Sequence, residues 1–162
     1  MKEFLNNIRE LTEIESPSGR EGAVAKVIRK NWQQYGEICE DGLGNLSITI
    51  GRGEPHIAFV AHMDEVGFVI RKIGDDGFIS LNKLGGIPER VLAGQKLLVI
   101  GRKGLVSGVF TTWPHHLTPE SEKYKVRPIG ECWLDVGARN SQEVERLGLR
   151  VGDFGVYARS WH

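Results

Sequence analysis

The chain has 162 residues, 40% of them hydrophobic, which suffices for one ordinary domain or two small ones with a real core. Lys plus Arg (21) balance Asp plus Glu (21), so no net field draws the protein to nucleic acid or to an anionic membrane. The opening MKEFLNNIREL lacks the apolar core of a signal peptide and no run approaches membrane-spanning length, so a cytoplasmic location is expected.

Phe4, Leu5, Ile8 and Leu11 recur at helical spacing, and ESPSG then breaks the pattern, ending a first helix near Ile14. Ser18 followed three residues later by Glu21 reads as a capping box for a second helix. Its apolar stripe is Ala23, Val24, Val27, Ile28, Trp32 and Tyr35, closed by Gly36. From Glu37 the period changes. EICED, NLSITIG and HIAFVA are strand-like and are separated by DGLG and RGEP, the opening of an α/β sheet domain. Beyond Gly67, FVIRKI, FISLNKL, KLLVIG and LVSGVF are short strands joined by hairpin-like turns. Asp75 and Asp76 fall in one of these turns. A short helix begins after Asn140, an N-cap with Glu143 at the third helical position, and ends at Leu147 and Gly148; VGDFGVYA returns to strand. Cys39 and Cys132 have no C-x-x-C spacing, which opposes a disulfide framework or zinc ribbon and leaves two buried free thiols as the reading.

HIAFVA is apolar on consecutive residues, as a strand covered on both faces is, so His62, Asp64 and Glu65 fall just past its carboxyl end, where open α/β sheets bind ligands. Three ionisable groups there cost several kcal/mol unless each has a partner. In an extended backbone residues i and i+2 share a side. Asp64 can then accept one imidazole N–H of His62 and turn the other ring nitrogen toward a metal. The competing reading makes His62 a hydrogen-bonded core histidine and Asp64 and Glu65 turn caps. Glu65 is open between ligation and capping. His115 and His116 are adjacent, so they point apart and suit a protein interface better than one ion. No G-x-G-x-x-G or G-x-S-x-G pattern is present, and GLGN at 42–45 has no helix after it to hold phosphate.

The longer string AHMDEVGF is more specific, and with SPSGREG, DGLGNLSITIGRG, KLGGIPERVLAGQ, GVFTTWPHHL and WLDVGARNSQEVERLGLRVGD it occurs in a familiar order. In these segments the chain resembles the dinuclear-metal aminopeptidases of the glutamyl and tetrahedral type, some of them labelled endoglucanase-like. The resemblance implies an α/β fold: residues 1–69 as the N-terminal part of a zinc-peptidase-type catalytic domain, 70–154 as a small β-rich, PDZ-like dimerisation and assembly domain, and 155–162 as the start of the return to the catalytic domain. It implies that His62 binds one of two divalent ions, zinc or cobalt, and that Asp64 supports it as a catalytic residue. Glu65 is a possible secondary ligand. The family's Asp-Asp-Arg-like motif, Glu-Glu pair, further aspartate and late histidine have no match here, so the chain alone is expected to be inactive, with at most one weakly bound ion.

The implied activity of the complete enzyme is removal of N-terminal residues from peptides, with this chain a fragment or split subunit. The alternative is a non-catalytic truncated homologue acting as an assembly or regulatory subunit. A peptide-binding module working by strand addition is a third reading, and it requires an open sheet edge. Two helices and three strands do not cover a two-sided sheet. The first region is therefore expected to expose apolar surface and to form a homo-oligomer or meet a partner chain carrying the second catalytic segment.

Overall fold

The computed structural model describes residues 1–159, which fall into two compact units, residues 1–65 and residues from 66 onward. In the first unit, α1 (Lys2–Thr12) forms where the helical spacing predicts, yet none of its residues is buried. Helix α2 spans Gly22–Trp32 and buries Val24. β1 (Ile38–Glu40) and β2 (Leu46–Ile48) make an antiparallel hairpin in which Ile38 faces Ile48 and Cys39 faces Ser47. Asp41 organises its turn, accepting from the amides of Leu43 and Asn45 and from the Asn45 side chain. Cys39 is exposed, contrary to the buried thiol expected of it, because it shares the outer face of the hairpin with Ser47; Cys132 is buried.

The expected third strand is absent. Residues 56–61 form no ladder, and Phe59 and Val60 are 96% and 92% exposed. A consecutive apolar run becomes a strand only where neighbours supply ladder partners and cover for both faces. The β1–β2 hairpin supplies neither, pairing only within itself. Burial in this unit instead gathers at Ser16, Pro17 and Val24.

The second unit is a closed antiparallel barrel. Its strands are β3 (Gly67–Ile73), β4 (Ile79–Leu84), β5 (Lys96–Gly101), β6 (Gly104–Thr111), β7 (Trp133–Asp135) and β8 (Phe154–Tyr157), in the order β3-β4-β7-β6-β5-β8. β8 closes the ring by pairing with both β3 and β5, while β7 meets β4 through the single pair Ile79 and Leu134. Each strand thus has two neighbours, and closure removes the free edge that strand addition needs. Alternation sends Phe68, Ile70, Ile79, Leu81, Leu97, Val99, Phe110 and Leu134 inward as one buried cluster. The return to the first region expected from residue 155 does not start there, since Phe154–Tyr157 is a barrel strand; residues 160–162 of that expected segment lie outside the described residues.

Helix α3 (Ser141–Arg146) begins as its sequence predicts. Asn140 Oδ1 accepts from the Glu143 amide at 2.9 Å, and Glu143 Oε2 accepts from the Arg139 amide at 2.9 Å. Val144 anchors this one short helix in the core. Asn140→Ala is expected to lower barrel stability by about 1 kcal/mol and Asn140→Asp by much less, read from urea unfolding midpoints. A loss in Asn140→Asp equal to that in Asn140→Ala would show that the cap oxygen is not the stabilising group.

Candidate metal centre

His62, Asp64 and Glu65 lie together on an irregular segment that the ESPSG loop holds in place. The Glu65 amide donates to the Ser16 carbonyl at 2.9 Å, the Ser18 amide donates to the Glu65 carbonyl at 3.3 Å, and Pro17 and Glu65 form an isolated parallel bridge. Glu65 Oε1 accepts from the Ser16 amide at 3.0 Å. A proline-containing breaker therefore docks beside the candidate site, and the Glu65 side chain caps that loop.

The contacts of His62 define its tautomer. Nδ1 lies 2.9 Å from the Asp64 carbonyl oxygen and 3.1 Å from Asp64 Oδ1. Both neighbours accept hydrogen bonds, so the neutral ring carries its proton on Nδ1 and keeps a lone pair on Nε2. The side chain is 84% exposed, so the core-histidine reading does not describe it. The other carboxylate oxygen of Asp64, Oδ2, accepts from the Ser18 hydroxyl. That hydroxyl first, and His62 second, hold the Asp64 carboxyl below its ordinary range despite the opposing effect of desolvation. Asp64 is accordingly ionised at neutral pH and fit to orient an imidazole.

Ser18 is the residue that the sequence reading misplaced. It does not cap α2, whose N-cap is Glu21 with no side-chain cap bond. Glu21 Oε1 accepts from the Gly19 amide at 2.7 Å, and the Ser18 hydroxyl is committed to Asp64. The capping-box pattern is local, and a long-range acceptor won the hydroxyl.

The donor set fits a divalent ion in part. A deprotonated Nε2 on an exposed imidazole is one good ligand with its orienting carboxylate, whereas zinc takes about four ligands. Among the described residues no group of three or more His, Cys, Asp or Glu side chains is placed to hold an ion. Elsewhere, His115 and His116 form a short 3₁₀ turn in the second unit, and His115 lines a cleft of about 420 Å³ with Trp113, Tyr124 and Arg127. Asp75 and Asp76 occupy the β3–β4 turn, where Asp76 Oδ1 accepts from the Phe78 amide at 3.1 Å.

A family profile described as M42 glutamyl aminopeptidase matches residues 44–162. The chain belongs to the M42 family. It is 32% identical over 157 residues to the glutamyl aminopeptidase of Lactococcus lactis, a match covering 93% of this chain and 44% of that one. In structure it is similar to the TET aminopeptidase of a marine-sediment Thaumarchaeota archaeon, with a TM-score of 0.90, 34% identity, and coverage of 94% of this chain and 44% of that one. It is also similar to the TET1 peptidase of Pyrococcus horikoshii, described as able to assemble into a tetrahedron or a large octahedral shell, with a TM-score of 0.83, 33% identity, and coverage of 94% and 46%. This M42 chain thus spans under half the length of these relatives. No helix among its described residues is long and apolar enough to cross a membrane.

Proposed function

We propose that this chain carries the first part of the metal centre of a metal-dependent aminopeptidase that removes N-terminal residues from peptides in the cytoplasm. The observation that carries the reading is the contact of His62 Nδ1 with two oxygens of Asp64, both acceptors, which leaves Nε2 to act as a ligand. In this assignment His62 is a metal ligand, Asp64 orients it, and Glu65 secures the loop beneath them. Zinc or cobalt, held in part by His62, would supply polarisation of the scissile carbonyl and activation of water near neutral pH. The described residues supply neither a bridging carboxylate nor a general base, so catalysis requires a segment beyond them. Residues 1–65 are then part of the catalytic domain, and the barrel, from Gly67 to Tyr157 and PDZ-like in role, serves dimerisation and assembly.

The exposed apolar run Ile57 to Val60 supports association, with the rest of the catalytic fold or another copy as its cover. It also favours the second reading, an assembly or regulatory subunit, if no partner restores activity.

The test is zinc and cobalt binding by the 162-residue chain, with hydrolysis of aminoacyl chromogenic substrates measured in parallel. At most one ion bound per chain, lost in His62→Ala, and no turnover are expected. Unchanged metal uptake in His62→Ala would overturn the assignment. Turnover that depends on His62 would mean that another copy of the chain completes the site.

A further inference from the structure

Ser18 is neither a candidate ligand nor a candidate support in the sequence, yet its hydroxyl donates to the carboxylate that holds His62. We propose that Ser18 is a positioning residue, which through Asp64 sets the tautomer and orientation of the His62 imidazole and so its capacity to take a divalent cation. This rests on the reading of His62 as a metal ligand.

The geometry forms a relay. A carboxylate free to rotate offers either oxygen to the imidazole, at any of several torsions about its own side chain. Donation from Ser18 occupies Oδ2 and leaves Oδ1 for Nδ1, 3.1 Å away. The fold spends three further hydrogen bonds on delivering that hydroxyl. The Glu65 amide donates to Ser16, the Ser18 amide donates to Glu65, and the Ser16 amide donates to the Glu65 side chain, so 16–18 and 64–65 are stitched in one register. Ser16 and Pro17 are buried, in a unit where only Val24 is otherwise buried among residues 1–65. Two of the three buried residues among 1–65 are thus within two positions of Ser18. Groups that orient a metal-binding histidine from outside the ligand set change metal affinity by about 10–100-fold when removed.

The test compares Ser18→Ala, Ser18→Thr and Ser18→Val in the 162-residue chain. Imidazole ¹⁵N NMR is recorded at a pH of about 8, above the ordinary histidine pKa of about 6.5. His62→Ala assigns the resonances. The wild type and Ser18→Thr are expected to show His62 dominated by the Nδ1–H form, and Ser18→Ala and Ser18→Val to show a mixture shifted toward Nε2–H. Ser18→Val has the shape of Ser18→Thr without the hydroxyl, so the comparison of these two isolates the donor and a fold lost in Ser18→Ala does not decide the outcome. Zinc affinity is expected to fall by about tenfold in Ser18→Val and to be retained in Ser18→Thr. An unchanged tautomer in Ser18→Val, or a loss in Ser18→Thr equal to that in Ser18→Val, would overturn the positioning role. A wild type that binds no zinc while its tautomer still responds to Ser18 would instead overturn the reading of His62 as a ligand and leave the relay standing.

Discussion

Phe68→Ala is expected to lower the stability of the barrel unit by about 3–5 kcal/mol, the range for removing a fully buried phenylalanine side chain. Phe68 has no exposed surface, and its ring meets Phe110 edge-on at 5.0 Å and Tyr157 at 5.4 Å. It stands on β3 where that strand pairs on both sides, with Lys83 of β4 and with Gly155 of β8. Such aromatic pairs add about 0.5–1.5 kcal/mol beyond area burial, and truncation removes two of them together with the packing. Phe78→Ala is the control. That ring is 38% exposed just before β4, and its loss is expected to cost under about 1 kcal/mol. Urea unfolding followed by amide exchange of the barrel strands gives both values. A loss below about 1.5 kcal/mol for Phe68→Ala would mean that the barrel relaxes around a cavity and does not depend on this ring.

The barrel was legible in sequence because its information is local. Strands such as FVIRKI and LVSGVF alternate over a handful of residues, and their hairpins turn on glycines that need a positive φ, +83° at Gly77 and +117° at Gly104. Asn140 and Glu143 are equally local, three residues apart, and fold as read. The first unit was misread wherever the deciding partner is distant. HIAFVA has the composition of a buried strand, but composition cannot provide a neighbouring strand, and the run lies exposed. Ser18 and Glu21 have the spacing of a capping box, while the acceptor that takes the Ser18 hydroxyl is 46 residues away. Of the candidate site, the pairing of His62 with Asp64 followed from i, i+2 geometry. The stitching of ESPSG beside it depends on tertiary contacts, to which hydrophobic periodicity is blind. Closure of the barrel was invisible for the same reason, since it rests on β8 pairing with β3 across more than eighty intervening residues.

Gly77→Ala is expected to destabilise the barrel by at least about 2 kcal/mol, through two separable effects. Gly77 has φ of +83°, where a side chain is strained. In addition, a Cβ there would stand 2.4 Å from the Ala138 carbonyl oxygen and 2.9 Å from the Asn140 nitrogen, both backbone atoms that cannot turn aside. The β3–β4 turn is therefore packed directly on the segment that leads into α3. Relief of the overlap would have to move the Asn140 cap or open the hydrogen bond from the Gly77 amide to the Gly74 carbonyl. Two other glycines divide the terms. Gly104 has φ of +117° but open space around its Cβ position, so Gly104→Ala carries torsional strain alone, about 1–2 kcal/mol. Gly130 has neither a positive φ nor a near neighbour, so Gly130→Ala is expected to be neutral or stabilising by under about 1 kcal/mol. The excess loss at Gly77 over Gly104, measured by urea unfolding, reports the steric overlap. If Gly77→Ala costs no more than Gly104→Ala, the 138–140 segment yields to the new methyl group, and Asn140→Ala added to that variant would then cost little, because the cap would already have been displaced.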